Sequence, residues 1–172
     1  MSLLMSGRRF ASPGVSIIGE YKPRSPTSPP LALPPEPELA ADVFSGSGIA
    51  GVSVLQEPEH FGGSQELFAF FRSRLRLPIL FKDFVVTDRQ VDLAGALGAD
   101  AILLIAKALA PSALDGLLER AHAHDMEGLI ELHDQEDVDK LCLIRSLGDS
   151  DMLGVNCRDL STLEVSLDTL GT

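Results

Sequence analysis

Six short apolar runs rich in β-branched residues recur along this chain, at Val15–Tyr21, Ala50–Leu55, Leu77–Phe81, Ala101–Ile105, Gly128–Leu132 and Met152–Val155. Their starts (15, 50, 77, 101, 128 and 152) lie 24 to 35 residues apart, which leaves room for one helix in each gap. Solid apolar runs without alternation mark strands covered on both faces, as in parallel sheets packed by helices. The gaps carry helix start signals. Thr87-x-x-Gln90 is a capping box opening a helix to Leu97, with Gly98 closing it. Ser64 opens 65–75, Pro111-Ser112 opens the segment to His124, and Asp134 with Asp137 opens the segment to Leu147. Strand and helix repeated in this way, joined by right-handed crossovers, build a parallel α/β sheet. Gly46–Leu55 and Gly98–Ile105 read as echoes of one unit. The exception is 23–37, which holds seven of the eleven prolines and predicts a long irregular loop after the first strand.

At 172 residues and 45% apolar content the chain fills one core, and the expected division is a short tail over 1–14 and one domain over 15–172. Fourteen Lys plus Arg against 25 Asp plus Glu, a net charge of -11, argue against nucleic acid or an anionic membrane as a main partner. Cys142 and Cys157 form no C-x-x-C and suggest neither a disulfide framework nor a metal site. No apolar run reaches the length of a membrane span. A cytoplasmic address is the expectation. The acid-free first nineteen residues, with Arg8 and Arg9, keep an organellar one open.

The third run ends on a charge: Leu77-Pro78-Ile79-Leu80-Phe81-Lys82. Parallel α/β folds place their ligands at the C-terminal ends of their strands, so Lys82 is the first candidate for chemistry. Side chains alternate along a strand, which puts Ile18, Glu20 and Lys22 on one face. Leu80 and Lys82 share a face in the same way, as do Leu129, Glu131 and His133, and Gly154, Asn156 and Arg158. A single charge at a strand end is ordinarily just solvated. Four converging ends mean more. If the sheet closes, they meet in one mouth suited to a phosphorylated substrate undergoing acid/base chemistry. Lys82 could serve there as a general acid or, if desolvated, as a Schiff-base nucleophile. Phe61-Gly62-Gly63-Ser64 reads first as a loop and helix cap, His122 and His124 as surface groups, and His60 and His133 as rim residues. No His/Cys/carboxylate set has metal spacing, so no metal is expected.

Six stretches taken in order resemble the signatures of indole-3-glycerol phosphate synthase. They are Ile18-Gly19-Glu20-Tyr21-Lys22-Pro23-Arg24-Ser25-Pro26; Ser53–Glu57 with Phe61–Ser64; Leu77–Phe84; Gly98–Leu104; Leu129-Ile130-Glu131-Leu132-His133; and Gly154-Val155-Asn156-Cys157-Arg158-Asp159-Leu160. The resemblance implies a (β/α)8 barrel of the TIM type, here incomplete with about six βα units. It also implies a carboxy-lyase of tryptophan biosynthesis that needs no cofactor. Such enzymes close the indole ring of 1-(2-carboxyphenylamino)-1-deoxyribulose 5-phosphate with loss of carbon dioxide and water. Carried over by motif, Lys82 is the general acid of ring closure and Glu131 its acid/base counterpart in dehydration. Glu20, Lys22 and Asn156 support them. Lys22, Ser25 and Arg158 match ligands of the substrate's anionic groups, and Phe61, Phe84, Leu103 and Leu160 match the apolar wall around its ring.

The loop after the first strand departs from the family pattern, reading Ser25-Pro26-Thr27-Ser28-Pro29-Pro30. A barrel of this type takes about 250 residues. The seventh and eighth units, which carry the family's phosphate-binding backbone, are therefore expected to be missing. Strands one and six would then have unpaired outer edges, open to self-association or to a complementing chain. Two rival readings follow: a truncated, catalytically impaired fragment or pseudoenzyme acting through those edges, and another phosphosugar barrel, such as phosphoribosylanthranilate isomerase or a Schiff-base lyase.

Overall fold

Each of the six apolar runs forms a strand in the computed structural model, which describes residues 2–4, 9–10, 15–25 and 36–156. The elements in chain order are β1 (Ser2–Leu4), β2 (Ile18–Tyr21), α1 (Pro37–Gly46), β3 (Gly51–Leu55), α2 (Gln65–Arg74), β4 (Ile79–Lys82), α3 (Asp88–Ala96), β5 (Ala101–Ile105), a 3-10 turn (Ala106–Ala108), α4 (Pro111–Ala123), β6 (Glu127–Leu132), α5 (Gln135–Leu141) and β7 (Met152–Val155). Strands β2 to β7 pair in parallel and in sequence order. The result is an incomplete (β/α)8 barrel, six parallel strands alternating with helices.

Alternation along the strands sorts the apolar residues into two layers. Val52, Val54, Ile79, Phe81, Ile102, Leu104, Ile130 and Leu132 point outward into the helix-packed core with Phe68, Phe71, Val91, Leu114 and Leu118. The rings of Tyr21 and Phe71 lie 4.6 Å apart there, and those of Phe68 and Phe81 5.6 Å apart. Leu80, Ala101, Leu103, Ile105, Leu129 and Met152 point inward, with Ile18 packed against them. Gly48 (φ 70°) and Gly98 (φ 77°) occupy equivalent places between a helix and the next strand. Both adopt the left-handed turn that glycine permits at a helix end, which is the physical content of the echo between those two segments.

Three expectations are corrected. Pro37 is not the last residue of an irregular loop but the first of α1, where its fixed φ and missing N–H cost nothing. Helix α5 stops at Leu141 rather than Leu147, because the backbone N–H groups of Arg145 and Ser146 turn away to donate to the Asp115 carboxylate on α4. The outer edge of β7 is not unpaired: β1 lies antiparallel along it, Leu3 opposite Gly154. Among the described residues, only β2 is an edge strand of the parallel set without a partner on its outer side. Val15, Ile17, Leu39 and Val43 are exposed on or beside that strand and α1.

The N-terminal ends of the strands form a floor held by polar contacts. Asp100 accepts from Arg72 Nη1 (2.7 Å), the backbone of Ile79 (2.9 Å) and Arg9 Nη1 (3.2 Å). Buried Asp151 accepts from the backbone of Gly128 and Gly148 and pairs with His122, which is thus no simple surface group. Phe10 is fully buried and plugs this floor from inside. A Cβ on Gly51 would stand 2.4 Å from its ring, so the glycine leaves the space the plug occupies. Phe10→Ala is expected to cost about 3–5 kcal/mol in urea denaturation, and a loss under about 1 kcal/mol would contradict the plug.

Candidate active site

The last inward-facing residue of each central strand is where the apolar filling stops and polar side chains begin. Below the rim the interior is filled by the apolar side chains of Leu80, Leu103, Leu129 and Met152. At the rim, β2 supplies Glu20, β4 supplies Lys82, β6 supplies Glu131, and the residue after β7 is Asn156. The ladder register sets these positions, with Glu20 opposite Ser53, Leu55 opposite Lys82 and Glu131 opposite Gly154.

Two hydrogen-bonded groups result. In the first, Glu20 lies between two ammonium groups: Lys82 Nζ is 2.5 Å from its Oε2, and Lys22 Nζ is 2.9 Å from its Oε1. Burial pushes the Glu20 carboxyl up, but the charges and hydrogen bonds of Lys82 and Lys22 outweigh it and hold the group below the usual carboxylate range. Asp83, the next residue after Lys82, goes the other way. Burial pushes its carboxyl up, only partly offset by the backbone N–H of Phe84 and the side chain of Gln90. In the second group, Asn156 Nδ2 donates to Glu131 Oε1 at 3.1 Å, and the Glu131 side chain is only 5% exposed.

The loops over the rim place the apolar candidates. Phe61 and Phe84 face each other with ring centroids 6.3 Å apart, Phe84 being 48% exposed. Leu103 lies in the interior below them, almost fully buried. The Phe61–Ser64 segment closes tightly on β3: a Cβ on Gly63 would sit 2.2 Å from the Leu55 carbonyl oxygen, and Ser64 caps α2 by accepting from the Leu67 N–H. Arg24 ties the segment after β2 to the same loop, its N–H donating to the Phe61 carbonyl and Nη2 to that of Pro58. Ser25 is half-buried at the end of that segment. Arg158 and Leu160 lie outside the described residues.

Two features of the rim go beyond the expected set. Glu57, Glu59 and His60 bring ligand atoms within 4.8 Å of one another, a gathering the sequence spacing does not announce. The Glu57 carboxylate is committed to the backbone N–H groups of Glu59, His60 and Phe61, as a turn-forming acid would be. His133 is the second. Its side chain is 8% exposed and lies against Glu131, where strand alternation from Glu131 places it.

Comparison with known proteins places this rim in context. A sequence profile described as indole-3-glycerol phosphate synthase matches residues 6–172. Indole-3-glycerol phosphate synthase 2 of Streptomyces coelicolor is 44% identical over 153 residues, 89% of this chain and 58% of that protein. The indole-3-glycerol phosphate synthase of Methanopyrus kandleri is 40% identical over 163 residues, 94% of this chain and 62% of that protein. The chain thus spans about three-fifths of the length of the curated relatives it matches. Among solved structures, methylornithine synthase superposes with a TM-score of 0.55 at 12% identity, over 75% of this chain and 48% of that one. That likeness concerns the fold alone.

The lowered Glu20 value carries a stability consequence of fixed sign. The contribution of its ion pairs is present above the ordinary value of 4.5 and is lost as pH falls through the lowered folded value. Urea denaturation followed from about pH 6 to pH 3 is expected to show a shallower acid loss in Glu20→Gln than in the unmodified chain. Identical acid limbs would contradict the pairing.

Proposed function

The chain belongs to the indole-3-glycerol phosphate synthase family, and we propose that its rim performs the acid/base steps of indole ring closure on 1-(2-carboxyphenylamino)-1-deoxyribulose 5-phosphate. In the first step the aromatic carbon bearing the carboxylate attacks the substrate's ketone carbon. Lys82 donates a proton to the ketone oxygen as the new carbon–carbon bond forms. Loss of carbon dioxide returns the bonding electrons to the ring. In the second step the new hydroxyl leaves as water while the neighbouring CH2 carbon beside the nitrogen loses a proton, which forms the ring double bond, and Glu131 is the group that moves protons there. The products are indole-3-glycerol phosphate, carbon dioxide and water.

The observation that carries this reading is the Lys82–Glu20 pair at 2.5 Å, at the C-terminal mouth of the parallel sheet. At that distance Lys82 Nζ donates a hydrogen bond to the Glu20 carboxylate, which holds the side chain as a donor aimed into the mouth. Glu20 and Lys22 hold the donor in place, and Asn156 orients Glu131. Phe61 and Phe84 would flank the aromatic ring above buried Leu103, with Leu160 completing the wall. Lys22, Ser25 and Arg158 would meet the anionic groups. No cofactor enters any step. The substrate is a phosphorylated small molecule, and the chain acts as one partial-barrel domain to which β1 and Phe10 also contribute, with the open edge of β2 as the surface for a second copy or a complementing chain. Among the described residues no helix is long and apolar enough to cross a membrane, and a cytoplasmic address fits a biosynthetic lyase.

Product formation followed by indole fluorescence tests the reading. Lys82→Ala is expected to lower kcat by about 10²–10⁴-fold. Retained turnover in Lys82→Ala, or a Lys82 adduct trapped by borohydride, would contradict the general-acid role.

A further inference from the structure

His133 lies two residues beyond Glu131, on the same inward face, where β6 turns into α5. Its imidazole stands between two carboxylates. Nε2 is 3.3 Å from Glu131 Oε1, and Nδ1 is 3.7 Å from Asp137 Oδ2. Asp137 is fully buried and fixed from several sides. Its Oδ2 accepts the backbone N–H of His133 at 3.0 Å, and its Oδ1 meets Lys140 Nζ at 3.2 Å. Lys140 is anchored in turn by donating to the Ala106 carbonyl at 3.0 Å. An acid so held cannot swing away from the ring, and a buried charge of this kind persists only because it is paired.

Both ring nitrogens are buried, yet neither makes an aligned hydrogen bond, although each lies near a carboxylate oxygen. Buried polar atoms normally find partners, so this ring is poised rather than satisfied. Hydrogen bonds at catalytic groups are often long before substrate binds and tighten in the reactive complex. Glu131 shows what tightening would do. Asn156 already holds Oε1 at 3.1 Å, and His133 approaches the same oxygen. Among the described residues none hydrogen-bonds Oε2, so holding Oε1 from two sides leaves Oε2 to face the mouth.

We propose that His133 is a positioning residue for Glu131: with buried Asp137 behind it, the imidazole fixes Oε1 and aims Oε2 at the substrate. The proposal rests on the reading of Glu131 as the proton-moving group of the second step, and adds the Asp137–His133–Glu131 array that orients it.

Two measurements on the 172-residue chain test it. With 15N-labelled histidine, the ring nitrogens of His133 are expected to shift in Glu131→Gln and again in Asp137→Asn. Ring signals in Glu131→Gln that superimpose on those of the unmodified chain would overturn the contact. In steady-state kinetics, His133→Ala is expected to lower kcat about a hundredfold with KM little changed. His133→Gln, which keeps an N–H donor, is expected to recover part of the loss, an outcome a merely space-filling ring would not produce. An unchanged kcat in His133→Ala would overturn the positioning role. Absence of turnover in the unmodified chain would count against the proposed activity itself, and the ring-nitrogen shifts would then decide alone whether His133 holds Glu131.

Discussion

The register of six parallel strands is the constraint on which the rest of this structure depends. Side chains alternate with a period of two, so a slip of one residue in any strand would send its rim group into the helix layer and bring an apolar residue to the mouth. The register is held by volume as much as by hydrogen bonds. Leu80, Leu103, Leu129 and Met152 fill the inside, while Val54, Phe81, Leu104 and Ile130 fill the outside, and neither set can exchange with the other without burying Glu20, Lys82 or Glu131 among the helices. Burying an unpaired charge there costs far more than any single apolar contact returns.

The two ends of the sheet use charge differently. At the floor, Asp100 and Asp151 are spent on backbone N–H groups and on Arg72, Arg9 and His122, joining one strand to the next. At the rim, among the described residues, Glu20, Lys82 and Glu131 bond to other side chains. Stability on one face and chemistry on the other is the division expected of parallel barrels. On that division Phe10→Ala is expected to bear on the fold and, on the proposed reading, Lys82→Ala on the reaction.

Much of this was legible in the sequence because the physics was local. Short β-branched apolar runs bounded by helix start signals read as strands covered on both sides, and the Thr87–Gln90 capping box and the Ser64 and Asp134 caps appear where the residue types place them. Alternation from Glu20, Lys82 and Glu131 then put the polar ends on one face. What escaped depended on distant partners. The early end of α5 is set by Asp115 on another helix, β1 by an edge more than a hundred residues away, and the Phe10 plug by a space that Gly51 leaves open. Helix α1 was hidden by its own first residue, since Pro37 closes a proline-rich stretch and opens a helix. His133 was seen at the rim, but its place between Glu131 and Asp137 requires α5 to fold back beside β6.

The central claim is that strand ends far apart in sequence form one mouth for one ligand. Titrating indole-3-glycerol phosphate into the 15N-labelled chain tests it most directly. The account predicts that backbone amides at the ends of β2, β4 and β6, from Glu20, Lys82 and His133 onward, shift together along a single binding curve. Shifts confined to one strand end, or to the floor around Arg9 and Asp100, would contradict it.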